Sequence, residues 1–240
     1  MFSRATSRSR VKSEGEKPFW ISYADLMTAL MVMFLVTMAV TVLALSSRLR
    51  VSETAPQLRD AAIKSICERI KTGIQSQRKI TVDCQTNRID FGDGGNFDFK
   101  EYKPQPETTD LLRALVPVIL DAATDPIGEK WLKQVVIEGH TDTTGGYLSN
   151  LHLSLERSYW VMCMLVDPAV NLPMQLSPSQ VENVRNLFLA GGVSFNDAKA
   201  TALASRRVEL RLQFYSQEER DSAKQRPQRM QQGVDQCTLK

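Results

Sequence analysis

The sequence predicts an α+β protein with one N-terminal transmembrane helix, followed by a domain whose mixed sheet carries helices on one face. Three observations support this class. Residues 26–45 contain no charged side chain. Strand-like alternation begins near residue 80, and stretches with apolar residues at 3–4 spacing separate the strands. At 240 residues, the chain can hold one domain of roughly 100–150 residues beside a membrane segment.

The first 18 residues form a basic tail directly before the apolar run. Because Lys/Arg-rich flanks stay on the cytoplasmic side of a span, we predict a cytoplasmic tail at 1–18 and an inner-membrane helix at 19–46. The C-terminal remainder is then periplasmic. The net charge of +3 is mild, so the composition gives no support to a nucleic-acid partner, and we expect none.

The apolar run matches the roughly 20 residues that a membrane-spanning helix needs. Trp20 and Tyr23 stand at its start, where amphipathic rings favour the membrane–water boundary. A cleaved signal peptide is the alternative. Its apolar core normally has about 7–15 residues, so we favour a retained span.

Asp25 is an acidic residue inside this apolar segment. A charged side chain there costs about 2.5–3.5 kcal/mol on insertion scales, and such residues are usually functional. Ser22, Asp25 and Ala29 follow helical spacing and Thr28 lies beside them. We predict that Asp25 carries an ion, H⁺ or Na⁺, that Ser22 and Thr28 support its path, and that no other cofactor is needed. An ordinary boundary carboxylate is the alternative reading.

A single helix cannot enclose an ion path, so partner membrane helices are required. A lone span with an ion-carrying carboxylate also suggests a homodimer with a symmetric contact. Residues 47–79 are predicted to form a connector, helical over 51–77. Its apolar positions are Leu58, Ala61, Ala62, Ile66, Ile70 and Ile74. A core-packed or self-pairing helix is the default, and a segment that blocks the ion path is the alternative.

Residues 80–216 are predicted to form the exported domain, and residues 217–240 are polar and predicted to be disordered. The predicted elements alternate between strands and helices. In order they are a hairpin of 80–84 and 88–91, a helix over 106–121 bent at Pro117, a buried strand at 134–138, a helix over 153–166 capped by Ser154, a helix over 178–190, and a strand over 207–215.

The four cysteines show no metal-ligand spacing. In an oxidising compartment disulfides can form, and Cys67–Cys84 is the predicted pair because both residues precede the main fold. Free or buried thiols remain the alternative. The two histidines, His140 and His152, lack a third ligand at metal spacing. We therefore predict no metal site and a structural role for His140.

Two motifs, at residues 135–158 and 205–212, resemble the OmpA-like peptidoglycan-binding domain. They contain Gly-His-Thr-Asp, an Asn, Leu-Ser-x-x-Arg and a later Arg-Arg-Val-Glu. The resemblance covers about residues 80–215 and fails at 167–204. It implies that Asp142 and Arg157 hold diaminopimelate. A carboxylate accepts from an ammonium, and a guanidinium grips a carboxylate in a two-pronged way. The residues implied to shape the same pocket are Asn150, Thr141 and Leu153, with Arg207 pairing either with the ligand or with the sheet edge.

The N-terminal segment resembles the spanning helix of the flagellar stator subunit MotB. The whole arrangement resembles the ZorB family, the membrane subunits of Zorya anti-phage systems. The resemblance implies a 5:2 complex of ZorA-like multi-span subunits around a dimer of this chain, anchored to peptidoglycan and powered by ion flow. A flagellar-type stator subunit and a passive membrane-to-wall tether are the alternatives. No carboxylate pair or nucleophile motif supports an enzyme.

Overall fold

The computed structural model describes residues 19–170, 174–222 and 236–238. The chain divides into two compact units after Thr54. The longest helix, α1, runs from Phe19 to Gly73. The sequence predicted a membrane helix that ended at residue 46 and a separate connector, whereas the backbone continues as one helix. The polar residues that follow the apolar run have only modest helix costs, and the helix also continues through Pro56.

The first part of α1 contains a candidate membrane span, Tyr23–Ser46, with a mean hydropathy of 2.4 over its most apolar window. The hydroxyl groups within it are bonded to the helix itself. Thr28, Thr37, Thr41 and Ser46 each donate to the carbonyl oxygen three residues earlier, at 2.8–2.9 Å. This pattern suits a lipid environment, where no water is available to satisfy a polar group.

The second part of α1 packs into the core of the C-terminal unit. Ile66, Ile70 and Ile74 are buried, as their spacing predicted. Leu58, which the same pattern placed on the apolar face, is 68% exposed. The buried face of this helix therefore begins about two turns later than the periodicity suggested, and Cys67 lies within it at 0% exposure.

The C-terminal unit contains a five-stranded mixed sheet in the order β1-β2-β5-β3-β4. The pairs are antiparallel except for β3 and β4, which run parallel. The strands are β1 Thr81–Asp83, β2 Arg88–Asp90, β3 Leu132–His140, β4 Phe188–Ser194 and β5 Val208–Phe214. The predicted hairpin and two predicted strands are present. The edge strand β4 replaces the last turn of the helix predicted over 178–190.

The remaining helices connect these strands. They are α2 Pro106–Thr124, α3 Pro126–Trp131, α4 Tyr147–Val166, α5 Pro178–Leu187, α6 Ala202–Ser205 and α7 Gln217–Ser222. One face of the sheet is apolar and joins the helices in a single core, with Val135, Ile137 and Leu210 fully buried. The predicted α+β class, with helices on one face of a mixed sheet, is confirmed.

Helix α4 lies unusually close to the ends of β3 and β4. A Cβ added at Gly139 would stand 2.0 Å from the Ser154 carbonyl oxygen, and one at Gly192 would stand 2.5 Å from the Ser154 hydroxyl. The predicted capping role of Ser154 is wrong, because α4 begins two turns earlier at Tyr147. The Ser154 hydroxyl instead accepts the N–H of Ser194 at 3.1 Å.

Both ends of the C-terminal unit are covalently tied. The predicted disulfide Cys67–Cys84 is present, and a second one joins Cys163 to Cys237. The prediction of disorder over 217–240 is wrong where the structure describes this stretch. Residues 217–222 form α7, and the Cys237 N–H donates to the Asp167 carboxylate at 2.7 Å. The rest of that stretch, like the predicted tail 1–18, lies outside the described residues.

Candidate functional site

The loop that follows β3 begins between two other strands. The His140 N–H donates to the carbonyl of Arg207 on one side at 2.9 Å, and the Thr141 N–H donates to the carbonyl of Ser194 on the other at 3.0 Å. The register shifts at Gly139/His140. The strand end is therefore fixed by both neighbours, and the next residue, Asp142, leaves the sheet at a defined position.

Asp142 is 5% exposed, and both of its carboxylate oxygens accept hydrogen bonds. One carboxylate oxygen accepts the Thr144 N–H at 2.8 Å, and the other accepts a guanidinium N–H of Arg206 at 2.9 Å. Burial by itself would raise the pKa of Asp142, but the hydrogen bonds from Arg206 and Thr144 outweigh it and lower the pKa below its ordinary value. The carboxylate is therefore ionised at neutral pH and already faces a cation.

Arg157 is completely buried, at 0% exposure. Its guanidinium donates to the carbonyl oxygens of His140 at 2.6 Å, Glu101 at 2.9 Å and Asp98 at 3.2 Å. The guanidinium carbon lies 4.7 Å from the centre of the Phe97 ring. Burial, followed by the positive charge of Arg206, lowers the pKa of Arg157 to about 10. The side chain thus connects α4 to β3 and to the 98–101 segment.

Arg206 was not among the predicted site residues, although it directly precedes one of them. Its side chain is 17% exposed. Beyond its contact with Asp142, it donates from Nε to the Phe97 carbonyl at 3.1 Å, and its guanidinium carbon lies 6.0 Å from the centre of the Phe99 ring. The signal in the sequence was the Arg-Arg pair before an alternating strand, because adjacent residues on an extended chain point in opposite directions.

Arg207 belongs to the charged face of the sheet and not to the Asp142 cluster. It donates to the Glu209 carboxylate at 2.5 Å and to the Asp197 carboxylate at 2.9 Å. Of the two roles left open by the sequence, the observed contacts are those of the sheet-edge role. The arginine that contacts Asp142 is the neighbouring Arg206.

The other predicted pocket residues surround the loop. The Asn150 amide donates to the carbonyls of Thr144 at 3.0 Å and Gly146 at 3.2 Å, which closes the loop onto α4. Thr141 is 2% exposed, and its hydroxyl has no hydrogen-bond partner among the described residues. Leu153 is half-buried on α4. Of these three residues, Asn150 is the one whose side chain bonds to the backbone of the loop.

The charged face of the sheet also groups Glu138, His140 and Glu209 at metal-ligand distances. The carboxylates of Glu138 and Glu209 already form ion pairs with arginines. Arg88 lies 2.9 Å from Glu138 and 2.7 Å from Glu209, and Arg211 lies 2.7 Å from Glu138. Burial, together with the nearby Arg207, lowers the pKa of His140 to about 4, so its ring is neutral. This arrangement favours an ion-pair network with an embedded neutral histidine.

This network predicts a specific acid sensitivity. The pKa of His140 falls from 6.5 to about 4 on folding, so the unfolded chain binds more protons in that interval. The free energy of unfolding should therefore decrease as the pH drops from 6.5 to 4. Hydrogen bonds from Arg207 overcome the effect of burial and lower the pKa of Glu209 from 4.5 to about 2, so a second loss follows below pH 4.5.

Urea unfolding of the purified protein across pH 7 to pH 4 measures this effect. His140→Gln should show a smaller dependence on pH between 6.5 and 4 than the unsubstituted protein, whatever its absolute stability. Equal slopes for the two proteins would contradict the assignment of a buried neutral imidazole.

The membrane carboxylate lies apart from these residues in the sequence. Asp25 falls in the first turn of the candidate span, and its carbonyl oxygen accepts the Thr28 hydroxyl at 2.9 Å. The lone pairs of that hydroxyl oxygen remain able to accept a hydrogen bond or to contact a cation. The side chain of Ser22 lies outside the described residues.

Comparison with known proteins finds relatives of the N-terminal segment and of nearly the whole chain. Residues 4–52 match the family described as the membrane MotB of the proton-channel complex MotA/MotB. The Zorya protein ZorB of Escherichia coli O139:H28 is 48% identical over 226 residues, which cover 93% of this chain and 92% of that protein.

Two solved structures are also similar to this chain. A putative MotB-like protein from Desulfovibrio vulgaris has a TM-score of 0.42 and 15% identity, covering 67% of this chain and 96% of its own. The cell wall anchor of the T6SS from Pseudomonas aeruginosa has a TM-score of 0.36 and 21% identity, covering 62% and 97%.

The candidate membrane span lies within the segment that matches the MotB membrane family, and it precedes an α+β unit with a Gly-His-Thr-Asp loop. The relationship across nearly the full length of both chains then fixes the family. The chain belongs to the family of the Zorya protein ZorB.

Proposed function

We propose that this chain is the stator-like subunit of an ion-driven inner-membrane motor in anti-phage defence. It anchors the complex to peptidoglycan and couples ion flow through Asp25 to the movement of a ring of ZorA-like subunits. The observation that carries the proposal is the 48% identity to a Zorya ZorB over 93% of the chain. The acidic residue within the only candidate span among the described residues supports the coupling role.

The proposed orientation puts the N-terminus in the cytoplasm and the C-terminal unit in the periplasm. The basic residues before the span support this direction. Both disulfides belong to the C-terminal unit. Disulfides form and persist in the periplasm and are rare in the cytosol, so their location supports the same direction independently of the charges.

The proposed wall contact uses the loop after β3. Asp142 and Arg206 place a carboxylate and a guanidinium 2.9 Å apart, and their side chains are 7% and 17% exposed. Diaminopimelate of the peptide stem carries an ammonium and a carboxylate on one carbon, so it can satisfy both groups together. The role is one of binding and force transmission and needs no bond-making chemistry.

The proposed motor role requires partner helices. The described side chains from Tyr23 to Leu45 are all exposed, which is the surface a helix offers to lipid or to neighbouring subunits. We place a second copy of this chain and a pentamer of ZorA-like multi-span subunits around it. Asp25 then lies in an interior that a lone helix cannot provide.

Co-expression with a ZorA-like multi-span subunit tests the proposal. Affinity purification in mild detergent followed by native mass spectrometry should give two copies of this chain with five of the partner. The same complex should sediment with purified peptidoglycan sacculi, and Asp142→Asn should reduce sedimentation without changing the mass of the complex. A monomer without a multi-span partner, or a complex that ignores sacculi, would contradict the proposal.

A further inference from the structure

We propose that the disulfide Cys163–Cys237 is a redox-sensitive latch that holds residues 236–238, the latch segment, on helix α4. The latch keeps α4 in the position that the wall site on the same helix requires. A dithiol reductant opens it, and a disulfide oxidant closes it. The part of this inference that concerns the wall site rests on the proposed function, whereas the latch itself does not.

The latch segment contacts one side of α4 at three successive turns. The hydroxyl groups of Tyr159 and Thr238 lie 3.3 Å apart. One turn later Cys163 forms the disulfide, and a further turn on, the Asp167 carboxylate accepts the Cys237 N–H at 2.7 Å. Helix positions i, i+4 and i+8 lie along the same side. The latch segment is neither helix nor strand, so its contacts with α4 fix its position.

Asp167 is the residue at the end of α4 that depends on the latch segment. It is the C-cap of the helix and is 5% exposed. A carboxylate is unfavourable there, because the helix C-terminus carries a partial negative charge and burial removes hydration. Two backbone N–H groups offset this cost, from Ala169 at 2.8 Å and from Cys237 at 2.7 Å. Release of the latch segment removes one of them, and the last turn of α4 then opens to water.

The disulfide can be opened from the side of Cys237. Cys163 is 2% exposed, whereas Cys237 is half-buried in a segment without regular structure. A thiolate of the reductant attacks the Cys237 sulfur, the S–S bond breaks, and Cys163 leaves as a thiolate that takes up a proton. The second thiol of the reductant then displaces Cys237 as a free thiol. Two electrons pass from the dithiol, which becomes a disulfide, to the latch.

The other disulfide lies in a different environment. Cys67 is 0% exposed within the hydrophobic core, and Cys84 packs against the same core. Its reduction requires the core to open, whereas the described contacts of the latch segment are with α4 and its C-cap. In the parent protein, graded dithiothreitol should therefore make Cys163 and Cys237 available to iodoacetamide before Cys67 and Cys84.

Helix α4 connects the latch to the wall site. Arg157 on this helix donates to three backbone carbonyls, among them that of His140 at 2.6 Å. Asn150 closes the loop after β3 onto the same helix. Hydrogen bonds are directional, so these contacts require α4 to stay at a fixed position, and the latch holds its other end. An open latch lowers the fraction of molecules with a complete site, and the apparent affinity falls in proportion.

Hydrogen exchange with mass spectrometry and sedimentation with sacculi test the latch on the full-length protein in detergent. The reporter is the Asp167 N–H, which is bonded to the Cys163 carbonyl at 2.9 Å. The oxidised parent protein is compared with the parent treated with dithiothreitol. Two paired variants separate the disulfides. Cys67→Ala/Cys84→Ala retains the latch alone, and Cys163→Ala/Cys237→Ala retains the other bond alone.

Reduction of the parent and of Cys67→Ala/Cys84→Ala should speed exchange at Asp167 about tenfold or more, the size of one lost hydrogen bond to a charged group. The concentration for half-saturation of sacculi should rise about threefold or more, as for a site that is complete in one third of the molecules. Cys163→Ala/Cys237→Ala should show both changes before reduction, and no further change at Asp167 after it.

Unchanged exchange at Asp167 in the reduced Cys67→Ala/Cys84→Ala protein would overturn the latch, as would reduction of both disulfides at the same dithiothreitol concentration. Faster exchange with unaltered sedimentation would overturn the link to the wall site. An oxidised parent protein that does not bind sacculi would instead refute the proposed wall binding, and exchange at Asp167 would still decide whether the latch exists.

Discussion

Asp25→Asn is expected to abolish phage protection while the complex still assembles. Asparagine has nearly the same size and polarity, so the packing of the span should survive. It cannot ionise, so it can neither load a proton nor hold a cation. One elementary charge that crosses the membrane potential releases about 2.3 kcal/mol per 100 mV. Without an ionisable group in the path, the span has no residue that can bind and release the ion, so ion flow cannot drive movement.

Efficiency of phage plating measures the effect, with copurification of the multi-span partner as the check on assembly. Plating on cells with Asp25→Asn should rise to the level of cells without the system. Thr37→Val is the matched control, because Thr37 lies in the same span and its hydroxyl is bonded to the carbonyl of Phe34. Protection that persists in Asp25→Asn cells would refute the ion-carrying role and would favour the passive tether.

Loss of the Cys67–Cys84 disulfide should destabilise the C-terminal unit by about 2–5 kcal/mol. The bond joins α1 to the residue that follows β1 and closes a sequence separation of 17 residues. Cys67 is fully buried beside Ile66 and Ile70. The double substitution Cys67→Ala and Cys84→Ala removes the cross-link and leaves no unpaired hydroxyl in the core.

Urea unfolding of the double variant, compared with the oxidised and the reduced parent protein, measures the change. The reduced parent should lose more stability than the double variant, because it loses both disulfides. Cys163→Ala with Cys237→Ala is the matched control, since it removes the other link and leaves α1 attached. An unchanged urea midpoint in the Cys67–Cys84 variant would show that packing alone holds α1 in place.

The sequence predicted the elements whose periodicity is strong. The alternation over 207–215 and the turn at 85–87 give β5 and the hairpin almost to the residue. The strand β4 was missed because its centre is Ala-Gly-Gly. Glycine has low intrinsic strand preference, and here it is favoured by the approach of α4 at Gly192. This reason exists only in the folded chain.

The contacts among the candidate site residues could not be predicted from the sequence for a related reason. A sequence shows which charges are present but not which of them are buried. The sequence does not distinguish the burial of Arg157 from that of Arg206. Arg157 is 0% exposed and the Arg206 side chain is 17% exposed, and this difference comes from packing between segments far apart in the chain. The predicted start of α4 was too late because the Gly145-Gly146 pair indicates a loop, so the helical turns directly after it were not recognised. The Asn150 side chain forms a hydrogen bond in these turns.

The covalent link between α1 and the hairpin has a mechanical consequence. Under the proposed attachment to peptidoglycan, tension between the sheet and the second part of α1 passes through the contacts that join them. Without the disulfide, the buried isoleucines of α1 would lose their contacts one after another. The disulfide carries the force through one covalent link at Cys67, so α1 and the hairpin cannot separate contact by contact.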